Sequence, residues 1–137
     1  MSLYDYKHTL TIPTRWYDND VYGHVNNVQY YAFFDTIINE YLINTGGLDI
    51  INGDAIGLCA ESQCKFTAAL VFPEAVSAGL RVGHLGKSSV KYEIGLYGAD
   101  ATPAATGWFV HVFVDRASRR PVPIPDSIRG ALEAIAV

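Results

Sequence analysis

One apolar helix restricts this chain's fold more than any other segment. From Val28 to about Thr45 (VQYYAFFDTIINEYLINT) apolar side chains recur at spacings of three and four, at Val28, Tyr31, Phe34, Ile38, Tyr41 and Leu42. Polar residues punctuate it at Gln29, Asp35, Thr36, Asn39, Glu40 and Asn44. An apolar arc this wide predicts a helix enclosed by the fold instead of lying on its surface. Asn26 or Asn27 suits the start as a cap, and Gly46-Gly47 suits the end.

The rest of the chain supplies strands to enclose it. YKHTLTIPTRW, residues 6–16, reads as a first strand, and residues 58–72 as a long one running up to Pro73. Residues 75–85 form another. Residues 88–97, SSVKYEIGLY, alternate cleanly, with Val90, Tyr92, Ile94 and Leu96 set against Ser89, Lys91, Glu93 and Gly95. TGWFVHVFV, residues 106–114, is nearly all apolar, as expected of a central strand covered on both faces. PDSIRGALEAIA reads as a short C-terminal helix with Pro125 near its start. The expected order is strand, long helix, then four strands, and hairpin-length links favour an antiparallel sheet. One helix cannot cover both faces of such a sheet. A curved sheet wrapping the helix satisfies the burial and leaves an outer face and an edge for a partner subunit.

Composition narrows the class. With 137 residues, half of them hydrophobic and 18% charged, the chain suits one folded domain over residues 1–137. No apolar run approaches the roughly 18–20 residues of a membrane span. The opening MSLYDYKHTLTIP lacks the apolar core of a secretory signal, so a cytoplasmic address is the expectation. A net charge of −4 argues against general nucleic-acid binding, but it is compatible with an anionic small ligand held by a few local cations. Cys59 and Cys64 lack the spacing and the partners of a zinc site. Five apart on a strand, they would point to opposite faces, so both are expected to be small buried side chains rather than a disulfide.

Polar chemistry concentrates in DNDVYGHVNN, Asp18 to Asn27, at the mouth of the helix. The stretch begins like a calcium loop, but Tyr22 and Gln29 stand where the fifth and twelfth positions require oxygen ligands. No nucleophile elbow, phosphate loop, dinucleotide fingerprint or HExxH motif is present. Asp18, Asp20 and His24 could join His8, His84 or His111 around a metal only as a nonspecific cluster, so no metal and no cofactor are expected. The first N–H groups of a helix have no intrahelical partner and favour an oxyanion. A carboxylate held just upstream, across a glycine turn, could act on a carbonyl bound there. The same residues would equally serve to cap the helix and tie down the loop.

The run RWYDNDVYGHVNNVQYY, Arg15 to Tyr31, resembles the R-x-x-D-x-D-x-x-G-H-V-N-N-x-x-Y signature of the hotdog-fold acyl-CoA thioesterases. It is most similar to the branch containing 4-hydroxybenzoyl-CoA thioesterase, and the likeness extends roughly from Tyr6 to Pro125. It implies an α+β hotdog fold, with a five-stranded antiparallel sheet wrapped around a long central helix. It implies hydrolysis of an acyl-CoA thioester, with Asp20 as general base or nucleophile and the backbone N–H of Asn27 polarising the carbonyl. Tyr30 matches an aromatic position near the acyl pocket, and His24 in the turn could orient the loop or touch substrate, with a structural hydrogen bond as the plainer alternative. GKSS, Gly86 to Ser89, resembles the turn that relatives place around pantetheine and phosphates. There Lys87 would be the local cation beside Ser88 and Ser89, and Arg119 and Arg120 are weaker choices. The family builds its sites at a dimer interface and commonly pairs dimers, so a homodimer, and from it a homotetramer, is expected.

Other residues carry plainer expectations. Asp18 is expected to pair with Arg15 or accept loop amides, and His111 to be a satisfied core histidine. Glu61, Asp35 and Glu40 are secondary acids. Trp16, Tyr22, Tyr30, Tyr31 and Phe34 could line a flat pocket for an aromatic acyl group, and a fatty acyl chain or an acyl carrier protein donor fits as well. Two alternatives remain. A hotdog hydratase or dehydratase would need a D-x-N-P-x-H arrangement, but here His24 follows Asp18 by six with no intervening proline. A non-catalytic acyl-binding protein would keep the fold without needing Asp20 and Gly23.

Overall fold

Strand pairing sets the architecture of the computed structural model, which describes residues 2–137. In chain order the elements are β1 (His8–Ile12), α1 (Asn27–Asn44), β2 (Ala55–Phe66), β3 (Val76–Leu85), β4 (Ser89–Tyr97), β5 (Pro103–Asp115) and α2 (Asp126–Ala134). The strands form one sheet in the order β1-β3-β4-β5-β2, and each neighbouring pair is antiparallel. This is the α+β arrangement expected from the sequence.

The sheet curves over α1. Phe33, Phe34, Ile37, Ile38, Tyr41 and Leu42 of the helix are buried, as are Val90, Tyr92, Ile94 and Leu96 of β4. α2 closes the far end, where the Tyr41 hydroxyl donates to the Ala131 carbonyl at 2.6 Å. The helix is not enclosed, however. Val28, Tyr31 and Ile43 remain exposed, because one sheet covers one side of a helix and the apolar arc is wider than that side.

Other expectations shift with the pairing. β1 stops at Ile12 and a 3-10 turn follows at Trp16–Asp18, closed by the Asp18 carboxylate on the Arg15 N–H. β2 begins three residues earlier than predicted and ends at Phe66, after which the chain turns to meet the start of α1. β5 is interior to the sheet, but its outward side chains Trp108, Val110 and Val112 are only half-buried, since no element among the described residues lies over the outer face there. Cys59 is exposed and Cys64 half-buried, not both buried. The reason is that β2 is an edge strand, and a bulge between Cys59 and Glu61 resets its alternation.

The outer face mixes charged side chains with aromatic rings. Arg81 Nε donates to Glu93 Oε1 at 2.7 Å, and the Lys91 ammonium sits 4.6 Å from the Trp108 ring centroid. Tyr6 lies flat across β3 and β4, so close that a Cβ at either Gly79 or Gly95 would come within 2.6 Å of its side chain. No helix among the described residues is long and apolar enough to cross a membrane.

Candidate active site

The loop before α1 is built from its own carboxylates and amides. Asp18 is 1% exposed; Oδ1 accepts from both Nε and Nη2 of Arg15 at 3.1 and 2.7 Å, and Oδ2 accepts from the Arg15 N–H at 2.8 Å. Its carbonyl takes the Asn26 N–H at 2.8 Å. Asp18 is thus structural, as expected, and it fixes both ends of the loop. Between those ends Asn19 and Val25 form an antiparallel bridge, the Asp20 N–H donates to the His24 carbonyl, and the Gly23 N–H donates back to the Asp20 carbonyl at 3.1 Å. This turn needs φ +82° at Gly23, a conformation that glycine adopts without steric cost.

Asp20 is left partly free. Its Oδ1 accepts from the Tyr22 N–H at 2.9 Å, and Oδ2 makes no hydrogen bond among the described residues. The side chain is half-buried and lines a shallow cleft of about 550 Å³ with Trp16, Tyr17, Asn19, Val21 and Gly23. Asn26 caps the helix, its Oδ1 accepting the Val28 N–H at 3.0 Å and its carbonyl accepting the Gln29 N–H. The Asn27 N–H has no acceptor among the described residues, and Asn27 is exposed. His24 is exposed and makes no side-chain hydrogen bond among them.

Tyr30 sits where its ring is packed and its hydroxyl is spoken for. It is 3% exposed, stands edge-on to Phe66 at 4.9 Å, accepts the Leu70 N–H at 3.1 Å and donates to the Ala68 carbonyl at 3.4 Å. Burial pushes its phenol pKa up, so it stays protonated and able to donate. The segment after β2 is therefore bound to the helix start from several sides. The Leu70 carbonyl takes the Val25 N–H at 2.8 Å, and Asn19 Oδ1 accepts the Phe72 N–H at 3.3 Å. These contacts were not legible in the sequence, because main-chain groups at residues 68–72 carry no signature.

Lys87, Ser88 and Ser89 lie elsewhere. They form the β3–β4 turn, held by the Arg129 guanidinium on the carbonyls of Gly86 and Lys87 at 2.7 and 3.0 Å. The register Ser89–Val112–Leu58 puts this turn beside the first half of β2, whereas Asn19 and Tyr30 bond the residues that follow its last, Phe66. Within one chain these groups stand at opposite ends of the sheet. Of the secondary acids, Glu40 is taken by His8 Nε2 at 2.7 Å and by Asn44, and Asp35 by Asn39. Glu61 is exposed on the edge strand. His111 is buried against the Tyr92 hydroxyl at 3.1 Å, a satisfied core histidine as expected, and no three His, Cys, Asp or Glu side chains among the described residues gather as a metal site.

A half-free carboxylate in the loop that leads into an unpaired helix-start amide is an arrangement suited to acyl transfer. The comparisons bear on the same region. The chain aligns over 98% of its length with 95% of the PA5185 protein from Pseudomonas aeruginosa, at 54% identity and a TM-score of 0.96. The PA2801 protein of the same organism is 33% identical, with a TM-score of 0.85 over 90% of this chain and 96% of that one. A 1,4-dihydroxy-2-naphthoyl-CoA thioesterase from Synechocystis shares the fold at 18% identity and a TM-score of 0.82, over 90% of this chain and 93% of that one. No curated protein matches the sequence. The model of the thioesterase-like superfamily matches residues 14–132, from the buried Thr14 through the signature loop to Leu132 of α2, and the chain belongs to that family of hotdog-fold proteins.

Proposed function

We propose that this protein hydrolyses the thioester of an acyl-CoA, using Asp20 and the Asn27 amide. The observation that carries the reading is the pairing of one unengaged Asp20 oxygen with an unpaired helix-start N–H seven residues on. The thioester carbonyl oxygen would accept the Asn27 N–H, where the helix dipole favours developing negative charge. Asp20 takes a proton from water, the hydroxide adds to the carbonyl carbon, and the C–S bond breaks with departure of the CoA thiolate. In the covalent variant the Asp20 oxygen adds first, and water then cleaves the mixed anhydride. A thiolate leaves readily, so few side chains are needed. Tyr30 acts as a positioning residue here, holding residues 68–70 against the helix start, and His24 lies free in the turn to meet substrate.

The placement of Lys87, Ser88 and Ser89 supports a site shared between two copies. β2 is a twelve-residue edge strand whose outer edge has no partner among the described residues. Two copies joined edge to edge about a two-fold axis pair β2 with β2 antiparallel. That pairing sets the Phe66 end of one beside the Ala55 end of the other, and so brings one Asp20 loop towards the other's Lys87 turn. The CoA phosphates would meet Lys87 there, with the serine hydroxyls beside it. The resemblance extends this to a pair of dimers.

The test is thiol release across aromatic and fatty acyl-CoAs, with solution mass measured on the same sample. Hydrolysis by a dimer or tetramer supports the reading. Subunit mixing then probes the shared site: Asp20→Asn and Lys87→Glu chains, each impaired alone, should regain activity when reassembled together. A folded oligomer that cleaves no thioester on the panel contradicts the reading and favours an acyl-binding role.

A further inference from the structure

The turn between β3 and β4 puts its carbonyls and its amides to different uses. Every carbonyl from Gly86 to Ser89 is engaged. The Gly86 carbonyl accepts from Arg129 Nη2 at 2.7 Å, and the Lys87 carbonyl accepts from the same nitrogen at 3.0 Å and from the Ile124 N–H at 2.9 Å. The Ser88 carbonyl takes the Phe113 N–H at 2.7 Å, and the Ser89 carbonyl takes the Gly86 N–H at 2.8 Å. The Lys87 and Ser88 N–H groups, by contrast, have no acceptor among the described residues.

Peptide geometry connects the two sets. In a trans peptide the C=O of one residue and the N–H of the next point in opposite directions within one plane. Both peptides here are trans, since the cis bond among the described residues is Phe72-Pro73. Arg129 holds the C=O of the Gly86–Lys87 peptide and the C=O of the Lys87–Ser88 peptide, and both converge on one nitrogen. The N–H groups of Lys87 and Ser88 are thereby turned to the opposite side of the turn. Successive free N–H groups on one side of a turn form a concave site for an anion. The Lys87 side chain is exposed, and neither it nor Arg129 forms an ion pair among the described residues.

We propose that Arg129 is a positioning residue for CoA: by fixing these two peptides it aims the Lys87 and Ser88 N–H groups, beside the Lys87 ammonium, at one phosphate of the substrate. The assignment rests on the acyl-CoA reading above and extends it from the Lys87 side chain to the main chain and to α2. Arg129 acts through the turn and does not touch the phosphate, which lies on the side away from its guanidinium. Donors fixed in advance lose little freedom on binding, whereas a lysine side chain alone must be ordered. Removing the clamp therefore weakens the hold on a phosphate-bearing substrate and leaves the chemistry at Asp20 and Asn27 as it was.

Arg129→Met and Arg129→Lys are each compared with wild type on one acyl group carried by CoA and by pantetheine, which has no phosphate. Arg129→Met should raise KM for the acyl-CoA at least about tenfold, with kcat and the KM for acyl-pantetheine unchanged. Arg129→Lys, which retains a cationic donor, should fall between. A KM raised equally on both thioesters would mark a merely structural residue and overturn the proposal. Amide ¹H–¹⁵N spectra read the same site without turnover. In the wild type the Lys87 and Ser88 amides should move saturably with CoA, and with inorganic phosphate only at higher concentration. In Arg129→Met the same response should need at least about ten times more CoA. That pattern in a protein that hydrolyses no thioester would sustain the CoA site while refuting the role of Asp20. Equal CoA affinity in wild type and a folded Arg129→Met overturns the proposal. So do wild-type amides that CoA leaves unmoved, or that answer inorganic phosphate more tightly than CoA, and these two results need no variant to fold.

Discussion

Removing the Tyr30 hydroxyl separates scaffolding from substrate contact at the mouth of α1. In Tyr30→Phe the ring keeps its packing on Phe66 and Phe33, so the loss is confined to two hydrogen bonds. The bond to the Ala68 carbonyl is long at 3.4 Å and contributes little. The bond from the Leu70 N–H, at 3.1 Å, is the larger one. Leu70 is 2% exposed, and the variant leaves its N–H without an acceptor in a dry setting. A buried, unsatisfied amide costs about 1–3 kcal/mol. In a chain of this size that corresponds to a fall in Tm of about 3–12 °C. Thermal unfolding by circular dichroism measures the shift, and thiol release on the best acyl-CoA measures activity. The account expects lower stability with kcat reduced modestly, because the Leu70 carbonyl still holds Val25. A variant that melts with the wild type while losing activity by about 10² or more would refute the reasoning, placing the hydroxyl on the substrate instead of the scaffold.

Two further predictions concern buried polar groups. Asp18→Asn replaces a charge-assisted acceptor of three hydrogen bonds and should lower stability by about 1–3 kcal/mol; an unchanged urea midpoint would show that the Arg15 fork contributes nothing. His111 is held neutral by burial, with its pKa down from 6.5 to about 4. Above pH 6.5 the folded and unfolded states are both neutral at this group, and below that only the unfolded state gains the proton. Stability is therefore present above pH 6.5 and lost progressively towards pH 4, by about 3 kcal/mol from this residue. Urea titrations from pH 7 to pH 4 should show that loss in the wild type and a flatter profile in His111→Gln; equal slopes would contradict it.

The elements were legible in the sequence where a period was sustained. The alternation of SSVKYEIGLY gave β4 and its buried face, because successive side chains on a strand must part to opposite faces. The helix was legible too, from its threefold and fourfold spacing and from the asparagine that caps it. Its surroundings were not. Val28 and Tyr31 continue the apolar spacing and yet lie exposed, since periodicity says which side chains share a face but not how much sheet exists to cover them. Cys59 was misplaced because a bulge and an edge position leave no local mark. At the site, the Asp18–Arg15 pair could be expected from three-residue proximity and opposite charge. The ties from Leu70 and Ala68 to the loop and Tyr30 span some forty residues through main-chain groups, and no pattern of residue types encodes them. The separation of Asp20 from Lys87 was equally hidden, because it depends on strand register.

The central claim is that Asp20 performs the chemistry, and Asp20→Asn tests it most directly. The substitution keeps the size and the Oδ1 acceptor for the Tyr22 N–H, so the turn should persist and the protein should remain folded. Steady-state thiol release from the best acyl-CoA, measured for wild type and variant in parallel, gives the ratio of kcat/KM. The account predicts a fall of at least about 10²-fold, the scale of a lost base. Equal values in two folded proteins would contradict it and remove Asp20 from the reaction.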